Sequence, residues 1–489
     1  MKIILFLILI FFAGSIAAET YYVATDGDNG NAGTSIDAPF KTITKAISVM
    51  EPGDTILVRG GVYINYSTIR ISKSGTAEAK CYLLAYGDER PILDFSRQDF
   101  GDRGISLTGS YWYVKGIDVC YSGDNALNIS GGGFNVFEFC RFYENKDTGA
   151  QLGGGAHDNT FINCDSYYNA DPEDYGDADG FAPKLDVGSN NKFVGCRAWG
   201  NCDDGWDGYM RGADDVTTIL ENCWTWGNGY LKDGTDPGAK ANGNGFKMGG
   251  SDDRNLSHNF VLTNCVSFYN KAKGFDQNNN TGNMQLLNCT GYGNLSANYR
   301  ITRNLAAGKT LEVKNCVSYD GLVELGDFAI QATNSWMDQF TVTADDFQSL
   351  DTTGIGGPRK ADGSLPDVSF LKLAEGSDLI DAGTDVGLEF SGTAPDLGAF
   401  EYEHATAINT MPETSVKMWF ANNKLRIELS ADQNSEYRVN IYSVSGQVLL
   451  QTARNFGNTS LDCSSLKSGI YIAEFVYRES RTSKKLVKN

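Results

Sequence analysis

Four aspartates and one lysine stand beside a repeated Gly-aromatic pair. They occur in Ala178-Asp179-Gly180-Phe181, Asp203-Asp204-Gly205-Trp206-Asp207 and Asn244-Gly245-Phe246-Lys247. Carboxylates crowded together repel one another unless a cation neutralises them, and hard oxygen ligands at that density suit calcium. The rival reading is a solvated acidic patch with an Asp207–Lys247 surface ion pair, a contact worth little. The choice depends on whether the fold brings these residues together.

The surrounding sequence repeats. Its skeleton is a Cys, an aromatic three places on, an Asn five places on, a turn, and then the Gly-aromatic pair. It reads Cys164-Tyr167-Asn169-Gly180-Phe181, Cys196-Trp199-Asn201-Gly205-Trp206, Cys223-Trp226-Asn228-Gly245-Phe246 and Cys265-Phe268-Asn270-Gly274-Phe275. Cys140 and Cys289 open further copies. A repeat of this kind marks a solenoid, in which each unit buries its apolar face only by stacking on its neighbours. The short β-type runs between Gly, Asn and Asp turns make the units strands. If the aromatic of each pair points inward, the residue after it points outward. That outward column reads Gln151, Ala182, Asp207, Lys247, Asp276, Arg300, and the residues before each Gly read Thr148, Asp179, Asp204, Asn244, Lys273, Ala297. Adjacent rungs lie about 4.8 Å apart. Asp179, Asp204 and Asp207 therefore converge, with Asp203 on the adjoining turn and Lys247 one rung above Asp207. Two rungs carry insertions at this same turn, 170–178 and 229–243, and insertions on one face of a repeat array commonly build its binding face. Together these features favour a site over a solvated patch.

The formal net charge of −20 leaves no basic face to meet phosphates and argues against nucleic acid as a partner. It leaves an acidic polysaccharide open if a cation or a few basic residues mark the site. The eleven Cys would ordinarily suggest disulfides in an exported chain. Seven of them share one repeat position, so a buried stack of small apolar side chains is expected instead. The repeated Asn is expected to form an internal amide ladder, each side chain bonding the next rung. With three His and no compact Cys/His cluster, no zinc-type site follows.

The N-terminus, with Lys2 followed by an apolar run from Ile3 to Phe12 and small residues up to Ala18, reads as a signal peptide over 1–18. Residues 19–402 form the solenoid domain, with rungs from about 56 to 345. The helix-periodic run near Pro39 to Ile47 is placed as a cap over the open end. The acidic loop at Asp26 to Asn31 reads as a turn. Residues 350–402 are taken as the far end of the stack, and 403–415 as a linker. Residues 416–489 carry alternating strands with Ser445-Gly446 as a hairpin turn, and read as a small β-sandwich. That segment resembles the C-terminal sorting domain of the type IX secretion system, on the strength of Ser468-Gly469-Ile470-Tyr471-Ile472 and Lys484-Lys485-Leu486-Val487-Lys488.

The runs around Asp179, Asp203 to Asp207, Asn244 to Lys247 and Lys273 to Asn280, with Gly195-Cys196-Arg197-Ala198-Trp199 and the closing Ala394-Pro395-Asp396-Leu397-Gly398-Ala399-Phe400, resemble polysaccharide lyase family nine. The resemblance spans most of residues 20–402, in the family's order. It implies an all-β, right-handed parallel β-helix that cleaves pectic backbones by β-elimination. By motif position it implies calcium at Asp179, Asp203, Asp204 and Asp207, and Lys247 as the base. Asn244, Lys273, Asp276 and Arg300 are the expected substrate contacts. The expected substrate is an acidic pectic polysaccharide such as pectate. The alternatives are a rhamnogalacturonan I lyase of the same fold and mechanism, a β-helix glycoside hydrolase using the Asp cluster as acid and base, and a non-catalytic glycan-binding protein. The expected protein is a secreted or cell-surface monomer.

Overall fold

The computed structural model describes residues 18–404, 416–429, 436–443, 448–455, 459–477 and 480–488. All but the last residue of the signal peptide, most of the linker and the Ser445-Gly446 turn lie outside the described residues. The chain divides into two compact units, Met1–Tyr402 and Glu403–Asn489.

The first unit is a parallel β-helix. Three parallel sheets run its length, one of twelve strands and two of ten. The first runs from Thr20–Val23 to Ala329–Ala332, the second from Ile69–Ile71 to Val323–Leu325, and the third from Gly61–Ile64 to Val317–Tyr319. Neighbours in a sheet come from successive turns of the chain, so each coil gives one strand to each sheet. The stack begins at Thr20, well before the expected residue 56, because Thr20–Val23 pairs in parallel with Thr55–Val58.

Each coil turns at residues held in the left-handed backbone region. Between first-sheet and third-sheet strands these are Phe139, Asn163, Gly195, Asn222, Asn264, Asn288 and Asn315, with φ from 51° to 62°. Each stands immediately before a repeat Cys. Asn and Gly tolerate this conformation best, which explains why they recur there. A second left-handed residue precedes each repeat Asn from Asn145 to Asn294: Glu144, Tyr168, Gly200, Gly227, Tyr269 and Gly293.

All eleven cysteines are free and buried, and inside the coil Cys140, Cys164, Cys196, Cys223, Cys265, Cys289 and Cys316 belong to one apolar core. The Gly-aromatic side chains stack up the axis: Phe181–Trp206 and Trp206–Phe246 at 5.0 Å between ring centroids, Phe246–Phe275 at 5.2 Å and Phe275–Tyr299 at 4.7 Å. The Asn ladder runs without a break from Asn145 through Asn169, Asn201, Asn228, Asn270 and Asn294 to Asn298. Each amide Nδ2 donates to the next Oδ1 at 2.8–3.0 Å. A buried polar side chain is tolerated only when it is bonded in this way.

The helix Ile43–Val49 is capped by the Thr42 hydroxyl, which accepts from the Lys45 N–H, and buries Ile43, Ala46 and Ile47 against the first strands. Residues 347–400 do not close the far end of the stack. They lie along the outer face of the third sheet, where Phe347, Ile355, Phe370, Leu373, Leu379 and Leu397 cover Trp224, Val266, Phe268, Tyr292 and Val317. The outward column of that sheet is apolar in these rungs, so it needs a cover. The cover is anchored by charge. Arg197 and Arg359 both bind the buried Asp165 carboxylate, at 2.8 and 2.6 Å, and Arg197 also donates to the Ile355 and Gly357 carbonyls. Burial opposes ionisation of Asp165, yet the two guanidinium groups hold it below the usual carboxylate range.

The second unit has a three-stranded and a four-stranded antiparallel sheet. The orders are Val416–Ala421, Lys424–Leu429, Thr459–Asp462, and Val448–Asn455, Glu436–Ser443, Gly469–Tyr477, Ser480–Lys488. Met418, Leu425, Ile427, Val439, Ile441, Leu461, Phe475 and Leu486 form its core.

Candidate active site

Phe181–Pro183, Trp206–Asp207, Phe246–Lys247, Lys273–Asp276 and Ala297–Ile301 are successive strands of the second sheet. Phe181 pairs with Trp206, Asp207 with Lys247, Lys247 with Asp276 and Asp276 with Arg300. The register fixes the column. It needs Gly before Phe181, Trp206, Phe246 and Phe275 because the coils pass too closely there for a side chain. A Cβ on Gly205 would lie 2.0 Å from the Thr225 hydroxyl and 2.6 Å from the Gly245 carbonyl oxygen.

One carboxylate oxygen from each of Asp179, Asp204 and Asp207 lies within 4.8 Å of the other two. None of the three is more than 2 % exposed, so the solvated-patch reading fails. The two insertions pack together next to them in sequence, where Ala178, Cys202 and Ala241 cluster with Ala170, Tyr175 and Leu231. Asp203 belongs to the same charge cluster but turns towards the second insertion, where its Oδ1 accepts from the Asn242 N–H at 2.5 Å. Asp204 Oδ1 accepts from the backbone and side-chain N–H of Asn244, at 2.7 and 2.8 Å. Asn244 is thus buried with its amide committed to Asp204. It holds that carboxylate in place, and its own Oδ1 accepts from the Lys273 N–H at 3.3 Å.

Lys247 Nζ lies 3.0 Å from Asp204 Oδ2 and 3.3 Å from Asp207 Oδ1. A second ammonium, absent from the sequence reading, also enters the cluster. Lys184 Nζ lies 2.8 Å from Asp179 Oδ2 and 3.6 Å from Asp207 Oδ2. Strand alternation carried two residues beyond Ala182 would have found it.

Burial and mutual repulsion set the charges. Burial pushes the Asp179 carboxyl well up despite Lys184, and pushes Asp204 up to about 7, with Asp203 adding to the shift. Burial also raises Asp203. For Asp207, burial is overcome by Lys247 and Lys184, which hold it below its ordinary value. For Lys247, burial favours the neutral form, but Asp204, Asp207, Asp203 and Asp179 outweigh it and hold the ammonium well above its usual range.

The donor set fits a hard divalent cation, with three convergent carboxylates from two adjacent rungs. Asp204 Oδ2 supports the fit, because it is buried and accepts no hydrogen bond, with the Lys247 ammonium 3.0 Å away. Further along the column, Lys273, Asp276, Gln277, Asn278, Arg300, Thr302 and Arg303 line a polar pocket of about 340 Å³. Lys273 pairs with Asp276 at 3.2 Å and Arg300 with Glu324 at 3.0 Å. Arg303 is exposed and was not anticipated. It follows a strand end, where alternation gives no guide.

Residues 21–320 match the family model described as Pel9A-like, right handed beta helix region. Pectate lyase L of Dickeya dadantii (strain 3937) is 39% identical over 403 residues, covering 80% of this chain and 92% of the relative. The chain belongs to the Pel9A-like β-helix family. The crystal structure of pectate lyase Pel9A superposes with a TM-score of 0.73 at 38% identity, covering 79% of this chain and 97% of that one. A rhamnogalacturonan lyase superposes at 0.65 with 26% identity, covering 73% and 97%. The helix is right-handed, and this family member is a polysaccharide lyase. The hydrolase and binding-protein readings are set aside. Residues 421–489 match a secretion system C-terminal sorting domain, which indicates secretion or attachment at the cell surface.

Proposed function

We propose that this lyase cleaves the galacturonate backbone of pectate by calcium-dependent β-elimination, with Lys247 as the base. The observation that carries the reading is the convergence of Asp179, Asp204 and Asp207, with the Lys247 ammonium of the next rung beside Asp204 and Asp207. Similarity to pectate lyases over most of the chain supports the substrate.

The reaction removes the proton on carbon 5 of a galacturonate and breaks the bond from carbon 4 to the glycosidic oxygen. A double bond forms between carbons 4 and 5, and the leaving oxygen takes a proton from water. Asp179, Asp203, Asp204 and Asp207 would hold calcium, whose charge when bound neutralises the uronate carboxylate and favours the negative charge that develops beside it. Lys247 takes the carbon 5 proton, and so must be neutral when substrate is seated. Its carboxylate partners oppose that, so the base works only when their charge is engaged elsewhere. The side chain is already 12% exposed and otherwise sheathed, which favours the neutral amine once those charges are met. Lys273, Asp276, Arg300 and Arg303 continue the column and would hold neighbouring sugars, the cations facing carboxylates.

Rhamnogalacturonan I is the second reading, on the likeness to a rhamnogalacturonan lyase. It needs the same proton removed from galacturonate, so the site residues are unchanged. The domains are proposed as a signal peptide over 1–18, a catalytic helix over 19–402, a linker over 403–415 and a sorting domain over 416–489, acting as a monomer. Ultraviolet absorbance of unsaturated product, with polygalacturonate and rhamnogalacturonan I offered separately, tests the reading. Product from polygalacturonate supports it, and product from rhamnogalacturonan I alone moves the substrate to the second reading.

A further inference from the structure

Lys184 is almost wholly buried, with 6% of its side chain exposed. A lysine rarely occupies such a place without a charge to meet. It comes from the strand end just past Phe181–Pro183 and reaches back to the carboxylates of two rungs, Asp179 and Asp207, while also approaching the Asp177 carbonyl at 3.4 Å. It sits on the opposite flank of the cluster from Lys247, which faces Asp204 and the other oxygen of Asp207. Asp207 is thus bracketed, with one oxygen towards each ammonium.

Formal charges show what this accomplishes. When all four are ionised, as a calcium site needs, Asp179, Asp203, Asp204 and Asp207 carry four negative charges against two positive ones, which leaves the charge of one divalent cation to be met. Without Lys184 the ionised cluster would hold three uncompensated charges on buried carboxylates, a strongly unfavourable arrangement before an ion arrives. Lys247 cannot serve as the permanent counter-charge, because a base has to give up its proton.

We propose that Lys184 is a positioning residue that acts as the built-in counter-charge of the metal site. It holds Asp179 and Asp207 in place in the ion-free protein and weakens calcium binding in return. This rests on the reading of the Asp cluster as a calcium site. The trade follows from electrostatics. An ammonium a few ångströms from the ion repels it, and at an effective dielectric of about 20 that repulsion exceeds a ten-fold effect on affinity. Removing the charge should therefore destabilise the ion-free protein and tighten the ion. A lysine serving only as packing would, when removed, loosen the site and weaken the ion.

The test is calorimetric titration of chelator-stripped full-length protein with calcium chloride, alongside thermal unfolding in chelator. Lys184→Met should bind calcium about ten-fold or more tightly than wild type, and melt lower in chelator. Lys184→Gln, which keeps a hydrogen-bond donor without the charge, should behave likewise and decides the matter if the methionine variant does not fold. Lys184→Arg should restore both values towards wild type. Equal or weaker calcium binding by the neutral variants overturns the inference while leaving the calcium site standing. A wild-type protein that takes up no calcium overturns the site and the inference together.

Discussion

Replacing Asn201 by Ala should cost about 3–5 kcal/mol of stability. Asn201 is fully buried. Its Oδ1 accepts from the backbone and side-chain N–H groups of Asn169 at 3.3 and 2.9 Å. Its Nδ2 donates to Asn228 Oδ1 at 3.0 Å and to the Ser166 carbonyl at 3.2 Å. The substitution strands the Asn169 backbone N–H in the interior, at about 1–3 kcal/mol, and removes further ordinary bonds worth about 1 kcal/mol each. The Asn169 side chain is partly spared, since its Nδ2 also reaches the Ser166 hydroxyl at 3.1 Å. Two residues on, Asp203 donates its N–H to the Ala178 carbonyl, so the disturbance reaches the carboxylate cluster and should weaken calcium binding as well. Urea unfolding followed by circular dichroism and by tryptophan fluorescence measures the loss. Coincident transitions with an unchanged slope are required before a free energy is read, because stacked repeats can unfold piecewise. A loss below about 0.5 kcal/mol, the usual range for an exposed turn, would refute the ladder as a structural element.

The other expectations concern the cover, pH and the sugar-binding column. Asp165→Ala leaves Arg197 and Arg359 without their shared carboxylate and should cost about 3–5 kcal/mol, the loss typical of a broken buried pair; proteolysis within 355–363 should accelerate, and an unchanged cleavage rate would count against the anchoring role. His258 is buried with Nδ1–H donating to the Gly208 carbonyl and Nε2 accepting from Thr218, and burial lowers its pKa to about 4. The unfolded chain takes up that proton near pH 6.5 and the folded one only near 4, so the stabilising neutral state is lost as pH falls across this window, by about 3 kcal/mol. The stability difference between wild type and His258→Gln should shrink over that range, and a constant difference would contradict the assignment. Arg303→Ala should raise KM for polygalacturonate by about three- to ten-fold with little change in kcat, as for loss of an exposed charge-assisted contact; an unaltered KM at low salt would remove Arg303 from the subsites.

Much of this architecture was legible in the sequence because a solenoid converts spacing into position. The Cys stack, the Asn ladder and the Asp207–Lys247 adjacency all follow from one alignment on Gly-aromatic. Three features did not follow. The near-complete burial of the carboxylates is one, because alternation gives an outward direction but not what lies above it, and the insertions have no repeat to align. The bonds from Asn244 to Asp204 are another, since they depend on the path of the 229–243 loop, which no spacing specifies. The third is the course of residues 350–402, expected at the far end of the stack, because it depends on the apolar outer face of the third sheet, spread over Trp224, Val266, Phe268, Tyr292 and Val317. Lys184, by contrast, lay within reach of the alternation rule and was missed only because the column was read one residue per rung.

The most direct test of the account is the ultraviolet absorbance of unsaturated uronide from polygalacturonate, for wild type and Lys247→Met, in calcium and in chelator, with calcium uptake by the variant measured by calorimetry. The account predicts product from wild type in calcium, none in chelator, and a loss of about 10³-fold or more in the variant, which should still bind calcium. A Lys247→Met protein that binds calcium and retains wild-type turnover, or a wild type indifferent to chelator, would contradict it.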